Sequence, residues 1–206
     1  GEPKHATPAC IQQAVIDNLS GLAAYPATQG SDALRLGIAN WLKQRFQLQS
    51  LDANTQILPV NGSREALFAF AQTVINTQHP NPVVIAPNPF YQIYEGAALL
   101  AGATPYYVNT LAEHQFKPQW QSVPVDIWQR CQLLYVCSPT NPTGTVMNLE
   151  EWDYLFNLAE QYDFVIASDE CYSEIYPDEN NPPLGALQAA QALGRTDYAR
   201  LVVFGS

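Results

Sequence analysis

The stretch Phe164-Val-Ile-Ala-Ser-Asp-Glu-Cys-Tyr-Ser173 decides the fold, because an apolar run ends there in acidic residues. The first four residues, 164–167, predict a buried strand. The polarity then changes at once to Ser168, Asp169 and Glu170. Ligands of open α/β sheets bind at the carboxyl ends of strands, so Asp169 is a candidate site residue that needs a cationic partner if it is buried. The alternative is that Asp169 only caps the following turn.

The composition excludes several classes of function. The chain has 206 residues, of which 47% are hydrophobic and 14% charged, and these proportions allow a sizeable core. Nine basic and 19 acidic residues give a formal net charge of −10, and no basic cluster occurs. This balance argues against nucleic acid and anionic membranes as partners. No apolar run approaches the roughly 20 residues of a membrane helix, and no signal peptide is recognisable.

The cysteines indicate a reducing compartment. They form no Cys-x-x-Cys pair and lie in or near apolar segments, at Cys10, Cys131, Cys137 and Cys171. We expect these thiols to be reduced and mostly structural, and we expect no metal site. The predicted location of the protein is therefore the cytoplasm.

Hydrophobic periodicity predicts strands that alternate with helices. The predicted strands are residues 56–60, 83–86, 104–108, 133–136, 164–167 and 201–204. The predicted helices are residues 7–19, 31–46, 66–74, 93–101, 149–162 and 184–193. This alternation is typical of βαβ units. We therefore predict an α/β fold of three layers, with a mostly parallel sheet and helices on both faces.

Two of the predicted strands run into loops that contain glycine or proline. Asn61-Gly-Ser-Arg64 stands at a strand-to-helix turn, where free first-turn N–H groups attract a phosphate, although an ordinary helix cap explains the same residues. Ser138-Pro-Thr-Asn-Pro-Thr-Gly144 contains two X-Pro bonds at a strand end, where a plain proline-rich loop is the alternative. Asn141 favours a site there, because its amide would point into the same cleft as Asp169.

Taken together, these motifs resemble the class I/II aminotransferases, which are fold type I pyridoxal-phosphate enzymes. In order, they are Asn61-Gly-Ser-Arg-Glu-Ala-Leu67, Asn88-Pro-Phe-Tyr91, Ser138 to Gly144 and Ser168-Asp-Glu-Cys-Tyr172. The resemblance covers essentially the whole chain. It implies pyridoxal 5′-phosphate as cofactor, an amino acid and a 2-oxo acid as substrates, and a homodimer. Residues 25–35 and 91–103 are most similar to bacterial N-succinyldiaminopimelate aminotransferases of lysine biosynthesis, with 2-oxoglutarate as the acceptor.

The resemblance implies catalytic roles for three residues. Asp169 would keep the pyridine nitrogen of the cofactor cationic, so that the ring can accept electrons. Tyr172 and Asn141 would hydrogen-bond the phenolic oxygen of the ring. Asn141 would also contact the substrate carboxylate, together with Gly1.

The same resemblance implies a set of residues that bind the cofactor. Tyr91 would stack on the face of the ring. Tyr25 would reach across a dimer to the phosphate of the other subunit. The phosphate cup of the subunit itself would consist of Gly62, Ser63, the Arg64 backbone and Ser206.

The chain departs from the family pattern at one position. The Schiff-base lysine of the family follows three positions after the serine matched by Ser206, where this sequence stops. Lys4, Lys43 and Lys117 lie in a turn, a surface helix and a polar loop, and we expect none of them to replace it. We expect residues 1–30 to be an N-terminal segment and loop of the substrate and dimer region. Residues 31–206 would be a truncated large cofactor domain without the small C-terminal domain, inactive by itself.

Other functions remain open at this level. The same fold supports a C–S β-lyase or another pyridoxal-phosphate enzyme, and the fold does not decide between them. A non-catalytic module that binds the cofactor is a further alternative, which the acidic balance and the lack of a helix-turn-helix segment disfavour. A plain nucleotide-binding protein is disfavoured because G-x-G-x-x-G does not occur.

Overall fold

The computed structural model describes residues 5–206, so Gly1 and its predicted contact with substrate lie outside the described residues. The strands are β1 (Val83–Asn88), β2 (Thr104–Asn109), β3 (Cys131–Cys137), β4 (Val165–Asp169) and β5 (Leu201–Phe204). The first helices are α1 (Ala9–Asp17), α2 (Asp32–Phe46), α3 (Ser63–Val74) and α4 (Gln92–Leu100). They are followed by α5 (Val125–Trp128), α6 (Leu149–Tyr162) and α7 (Ala186–Ala192). Short 3₁₀ helices cover Leu19–Ala23, Ala112–His114 and Trp120–Ser122.

The strands form one parallel sheet in the order β2-β1-β3-β4-β5. The predicted α/β class and parallel sheet are therefore confirmed. The chain leaves β1 toward β2 on one side and returns to β3 on the other, and ligand crevices form beside such a reversal. Cys137 pairs with Asp169, and Asp169 pairs with Phe204, so β3, β4 and β5 end at the same level.

Helices cover both faces of the sheet, as the sequence predicts. In β3, Leu134 and Val136 lie in a buried cluster with residues of α2, α6 and α7. Leu133 and Tyr135 lie in a second cluster with residues of α3 and α4. The two clusters exist because successive side chains of a strand point to opposite faces. Within residues 5–206, no helix combines the length and the apolar character needed to span a bilayer.

One predicted strand is wrong. Residues 56–60 form no strand, and the chain is irregular between α2 and α3. Pro59 has no N–H group for a strand ladder, and its ring packs so close to Gly30 that a Cβ there would lie 2.7 Å from Pro59 Cγ. Ile57 still packs against the core, whereas Leu58 and Val60 are exposed. The other predicted elements begin and end within three residues of the observed ones, and α5 was not predicted.

Candidate active site

Asp169 is the last residue of β4 and is 6% exposed. The apolar residues before it anchor the strand between β3 and β5, so the carboxylate is held at the carboxyl edge of the sheet. Tyr94 Oη donates a hydrogen bond to Asp169 Oδ2 over 2.6 Å. The backbone N–H of Cys171 donates to Oδ1 over 3.4 Å, which is the turn contact that the sequence left open. Asp169 therefore caps the turn weakly and has a second, stronger partner on α4.

The loop before α3 leaves a helix start without a side-chain cap. Gly62 is the N-cap residue, with φ 120° and ψ 144°, and no side chain of the described residues caps the first-turn N–H groups. These groups and the helix dipole favour an anion. Ser63 begins the helix, so its hydroxyl lies at the same end. The predicted phosphate cup thus has a physical basis in this turn.

Gly62 provides a direct test of that turn. We expect Gly62→Ala to lower the free energy of unfolding by about 1–3 kcal/mol, because an L-residue is strained in this backbone conformation. The new Cβ would also lie 3.0 Å from Glu65 Oε2. Urea unfolding measures the effect. Gly96→Ala is the matched control, since a Cβ at Gly96 in α4 meets nothing within 4 Å and should not destabilise the helix. Equal loss in both variants would contradict the prediction.

Tyr91 links the loop after β1 to the start of α3. Arg64 Nε donates to Tyr91 Oη over 2.8 Å. The Tyr91 ring stands edge-on to the Tyr94 ring, with centroids 6.0 Å apart and planes at 89°. Tyr91 is 37% exposed, which leaves part of its surface available to a ligand. The residue predicted to stack on a ring is thus held on two sides and open on another.

Cys171 joins the helix start to Asp169. Its thiol donates to Ser63 Oγ over 3.3 Å, and the nearby Ser206 side chain favours a lower pKa of this thiol. Burial, more than the nearby Asp169 carboxylate, raises the pKa of the Cys171 thiol, so the thiol stays protonated. These contacts, together with the chain bond between Ser63 and Arg64, connect six residues in a closed loop, which we call the contact ring. Its members are Asp169, Tyr94, Tyr91, Arg64, Ser63 and Cys171.

Asn141 and Tyr172 form a second contact at the same edge of the sheet. Asn141 Nδ2 donates to Tyr172 Oη over 3.1 Å. The loop that carries Asn141 has cis peptide bonds before Pro139 and Pro142. It is closed by the Gly144 N–H, which donates to the Thr140 carbonyl oxygen over 2.7 Å. Two polar groups from the ends of β3 and β4 are therefore placed side by side.

Tyr25 does not join these groups. Its side chain is 99% exposed, and it lies in the segment between the first 3₁₀ helix and α2. Its contact with a second subunit stays a prediction.

Sequence reasoning assigned no role to Tyr94, Cys171 or Glu170. Tyr94 follows Tyr91 by three positions at the start of α4, and this spacing puts both on one helix face. Glu170 is 3% exposed and accepts hydrogen bonds at Oε1 from Ser168 Oγ and the Ala186 N–H, over 3.0 and 2.8 Å. Burial raises the pKa of Glu170 to about 7. In the sequence, the only indication of a role for Glu170 was its position next to Asp169.

The groups at this edge suit pyridoxal 5′-phosphate. An uncapped helix start with nearby hydroxyls suits its phosphate, and a buried carboxylate suits its pyridine nitrogen. The Asn141–Tyr172 pair offers hydrogen bonds to its phenolic oxygen, and Tyr91 offers an aromatic face.

Curated relatives of the chain are aminotransferases. The LL-diaminopimelate aminotransferase of Aquifex aeolicus is 35% identical over 185 residues, which are 89% of this chain and 47% of that protein. The enzyme of the same name from Nitratidesulfovibrio vulgaris is 34% identical over 194 residues, which are 93% of this chain and 49% of that protein. The chain thus spans about half the length of the curated relatives that it matches.

Solved structures of aminotransferases share the fold. An aminotransferase from Neisseria meningitidis superimposes with a TM-score of 0.95 and 51% identity, covering 100% of this chain and 52% of that one. The aminotransferase AspB from Helicobacter pylori gives a TM-score of 0.91 and 37% identity, with 100% and 53% coverage. The family model described as aminotransferase class I and II matches residues 1–206. The chain therefore belongs to the class I and II aminotransferases, whose cofactor is pyridoxal 5′-phosphate.

Proposed function

We propose that the protein is a pyridoxal-phosphate-dependent aminotransferase that moves an amino group between an amino acid and a 2-oxo acid. The observation that carries the proposal is the contact ring. It brings a buried carboxylate, an aromatic face and a helix start into one connected set, although they come from separate parts of the sequence. A strand-end carboxylate alone would not distinguish this site from a turn.

The residues of the chain have separable tasks in this reaction. When bound, the cofactor supplies a cationic ring that accepts the electrons of the substrate Cα–H bond. Asp169 would provide the negative charge for the ring nitrogen, and its burial would strengthen that interaction. The start of α3 would hold the phosphate, while Asn141 and Tyr172 would hold the phenolic oxygen. Together these contacts would orient the cofactor toward the substrate.

The group that moves the Cα proton is not one of the described lysines. Lys43 belongs to α2, whose buried residues lie in the cluster on the sheet face opposite α3. Lys117 Nζ is ion-paired with Glu151 Oε2 over 2.9 Å. Neither of these two lysines belongs to the contact ring, which supports the expectation that they do not replace the Schiff-base lysine.

A half-reaction tests the proposal. We expect the full-length protein with its cofactor bound to change its cofactor absorbance when L-glutamate is added and to release 2-oxoglutarate in proportion. D-Glutamate is the matched control and should leave the spectrum unchanged. If the cofactor absorbance does not change with any amino acid that carries a free amino group, the proposed aminotransferase activity is rejected. Release of pyruvate and ammonia from cystathionine would favour the C–S β-lyase instead.

For the finer function, we propose N-succinyl-diaminopimelate as the amino donor and 2-oxoglutarate as the acceptor, in lysine biosynthesis. The similarity of residues 25–35 and 91–103 supports the succinylated donor, while the names of the relatives support the diaminopimelate skeleton only. The values of kcat/KM for N-succinyl-LL-diaminopimelate and for free LL-diaminopimelate distinguish these two candidate donors. A higher value for the free compound would reject N-succinyl-diaminopimelate as the donor.

The proposal extends to assembly and location. We propose a homodimer in which residues 1–30 belong to the substrate and dimer region and residues 31–206 to the cofactor domain. Residues 5–29 are all exposed, so this segment adds no buried side chain to the described core. Light scattering that gives a monomer mass for the holoenzyme would reject the dimer. The four cysteines are free thiols, which supports the cytoplasm as the location.

A further inference from the structure

We propose that Tyr94 is a positioning residue that fixes Asp169 and Tyr91 relative to each other. The carboxylate for the ring nitrogen and the aromatic face for the cofactor ring are then already in position when the cofactor binds. This inference rests on the proposed function. It assigns a role to a residue that contacts two predicted cofactor residues.

The first contact is a hydrogen bond between two buried groups. Tyr94 is 2% exposed and Asp169 is 6% exposed, and the bond from Tyr94 Oη to Oδ2 measures 2.6 Å. This length is typical of a hydroxyl that donates to a carboxylate, a bond about twice as strong as a neutral one. Burial, and then the Asp169 charge, raises the pKa of Tyr94 far above its usual value. The phenol therefore remains a donor.

The bond from Tyr94 occupies Oδ2 of Asp169, and the other carboxylate oxygen, Oδ1, has a weaker partner. Within residues 5–206, Asp169 Oδ1 accepts only the long bond from the Cys171 N–H, at 3.4 Å. Cys137, the neighbour of Asp169 across the sheet, directs its thiol to the Pro139 carbonyl oxygen instead, at 3.3 Å. Oδ1 thus keeps lone-pair capacity for a ring nitrogen.

The Tyr94 ring is itself held in place. It stacks on the Tyr135 ring with centroids 4.5 Å apart and planes at 11°. Tyr135 Oη donates to the Leu67 carbonyl oxygen in α3 over 2.7 Å. The edge-on contact of Tyr91 closes the other side of Tyr94, with the centroids 6.0 Å apart. A rotation of Tyr94 would disturb both aromatic contacts and the bond to Asp169.

Tyr94→Phe tests the inference, because it removes the donor and keeps the ring. We expect the Kd of pyridoxal 5′-phosphate, measured by titrating the apoenzyme, to rise about 10- to 100-fold, the loss that corresponds to one hydrogen bond to a charged group. Tyr135→Phe is the matched control. It removes an equally buried hydroxyl from the same stack, one that bonds the Leu67 carbonyl oxygen and not Asp169, and it should leave Kd nearly unchanged.

Two further readouts separate positioning from general damage. The ¹⁵N resonance of the labelled pyridine nitrogen should shift in Tyr94→Phe and stay in place in Tyr135→Phe. Inorganic phosphate should bind Tyr94→Phe with wild-type affinity, because the helix start is intact. The inference is overturned if both variants behave alike, or if phosphate binding is lost together with cofactor binding. A wild-type protein that binds no pyridoxal 5′-phosphate would reject the proposed function instead.

Discussion

Asp169→Asn is expected to weaken cofactor binding and to lower kcat/KM by about 10²- to 10³-fold. Asparagine has nearly the same shape as aspartate, and its carbonyl oxygen can still accept the bond from Tyr94. The charge alone is lost. Removing one member of a buried ion pair costs about 3–5 kcal/mol, because the remaining charge is left without compensation. The carboxylate is 6% exposed, so water cannot replace it.

Two measurements check this expectation. Titration of the apoenzyme with pyridoxal 5′-phosphate reports binding, and the absorbance change with L-glutamate reports the reaction. Asp126→Asn is the matched control, since Asp126 is an exposed carboxylate in α5, just before the amino end of β3. In a parallel sheet that end is opposite the edge that carries Asp169. Wild-type cofactor affinity in Asp169→Asn would remove the basis of the assignment.

Glu170→Gln is expected to abolish most of the pH dependence of stability between about pH 4.5 and pH 7. Burial raises the pKa of Glu170 to about 7, from a model-compound value of 4.5. The folded protein therefore holds this proton more tightly than the unfolded chain does. The resulting stabilisation is fully present below about pH 4.5 and is lost as the pH rises through about 7. It amounts to about 3 kcal/mol.

Urea unfolding at several pH values measures this effect. The wild-type free energy of unfolding should fall as the pH rises across that interval, and Glu170→Gln should flatten the curve. The glutamine carbonyl oxygen can still accept the bonds from Ser168 and Ala186. Glu113→Gln, in an exposed 3₁₀ helix, is the control and should keep the wild-type slope. An unchanged slope in Glu170→Gln would show that another group carries the pH dependence.

Local pattern was enough to predict most helices and strands. Residues 149–162 and 201–204 were predicted with their observed bounds, because apolar periodicity is a property of neighbouring positions. The strand predicted at residues 56–60 was wrong. Only Ile57 of this stretch packs against the core, whereas Leu58 and Val60 are exposed, and Pro59 cannot donate to a strand ladder.

The sequence by itself determined the α/β class and the strand ends where polar residues gather, and its motifs pointed to a family. Only the tertiary structure decided which of those residues touch. Tyr94 and Asp169 are 75 positions apart, and Ser63 and Cys171 are 108 positions apart. Such contacts depend on strand order and on helix packing across the sheet. Periodicity reports the face that a residue occupies, and it carries no information about the partner that another segment brings there.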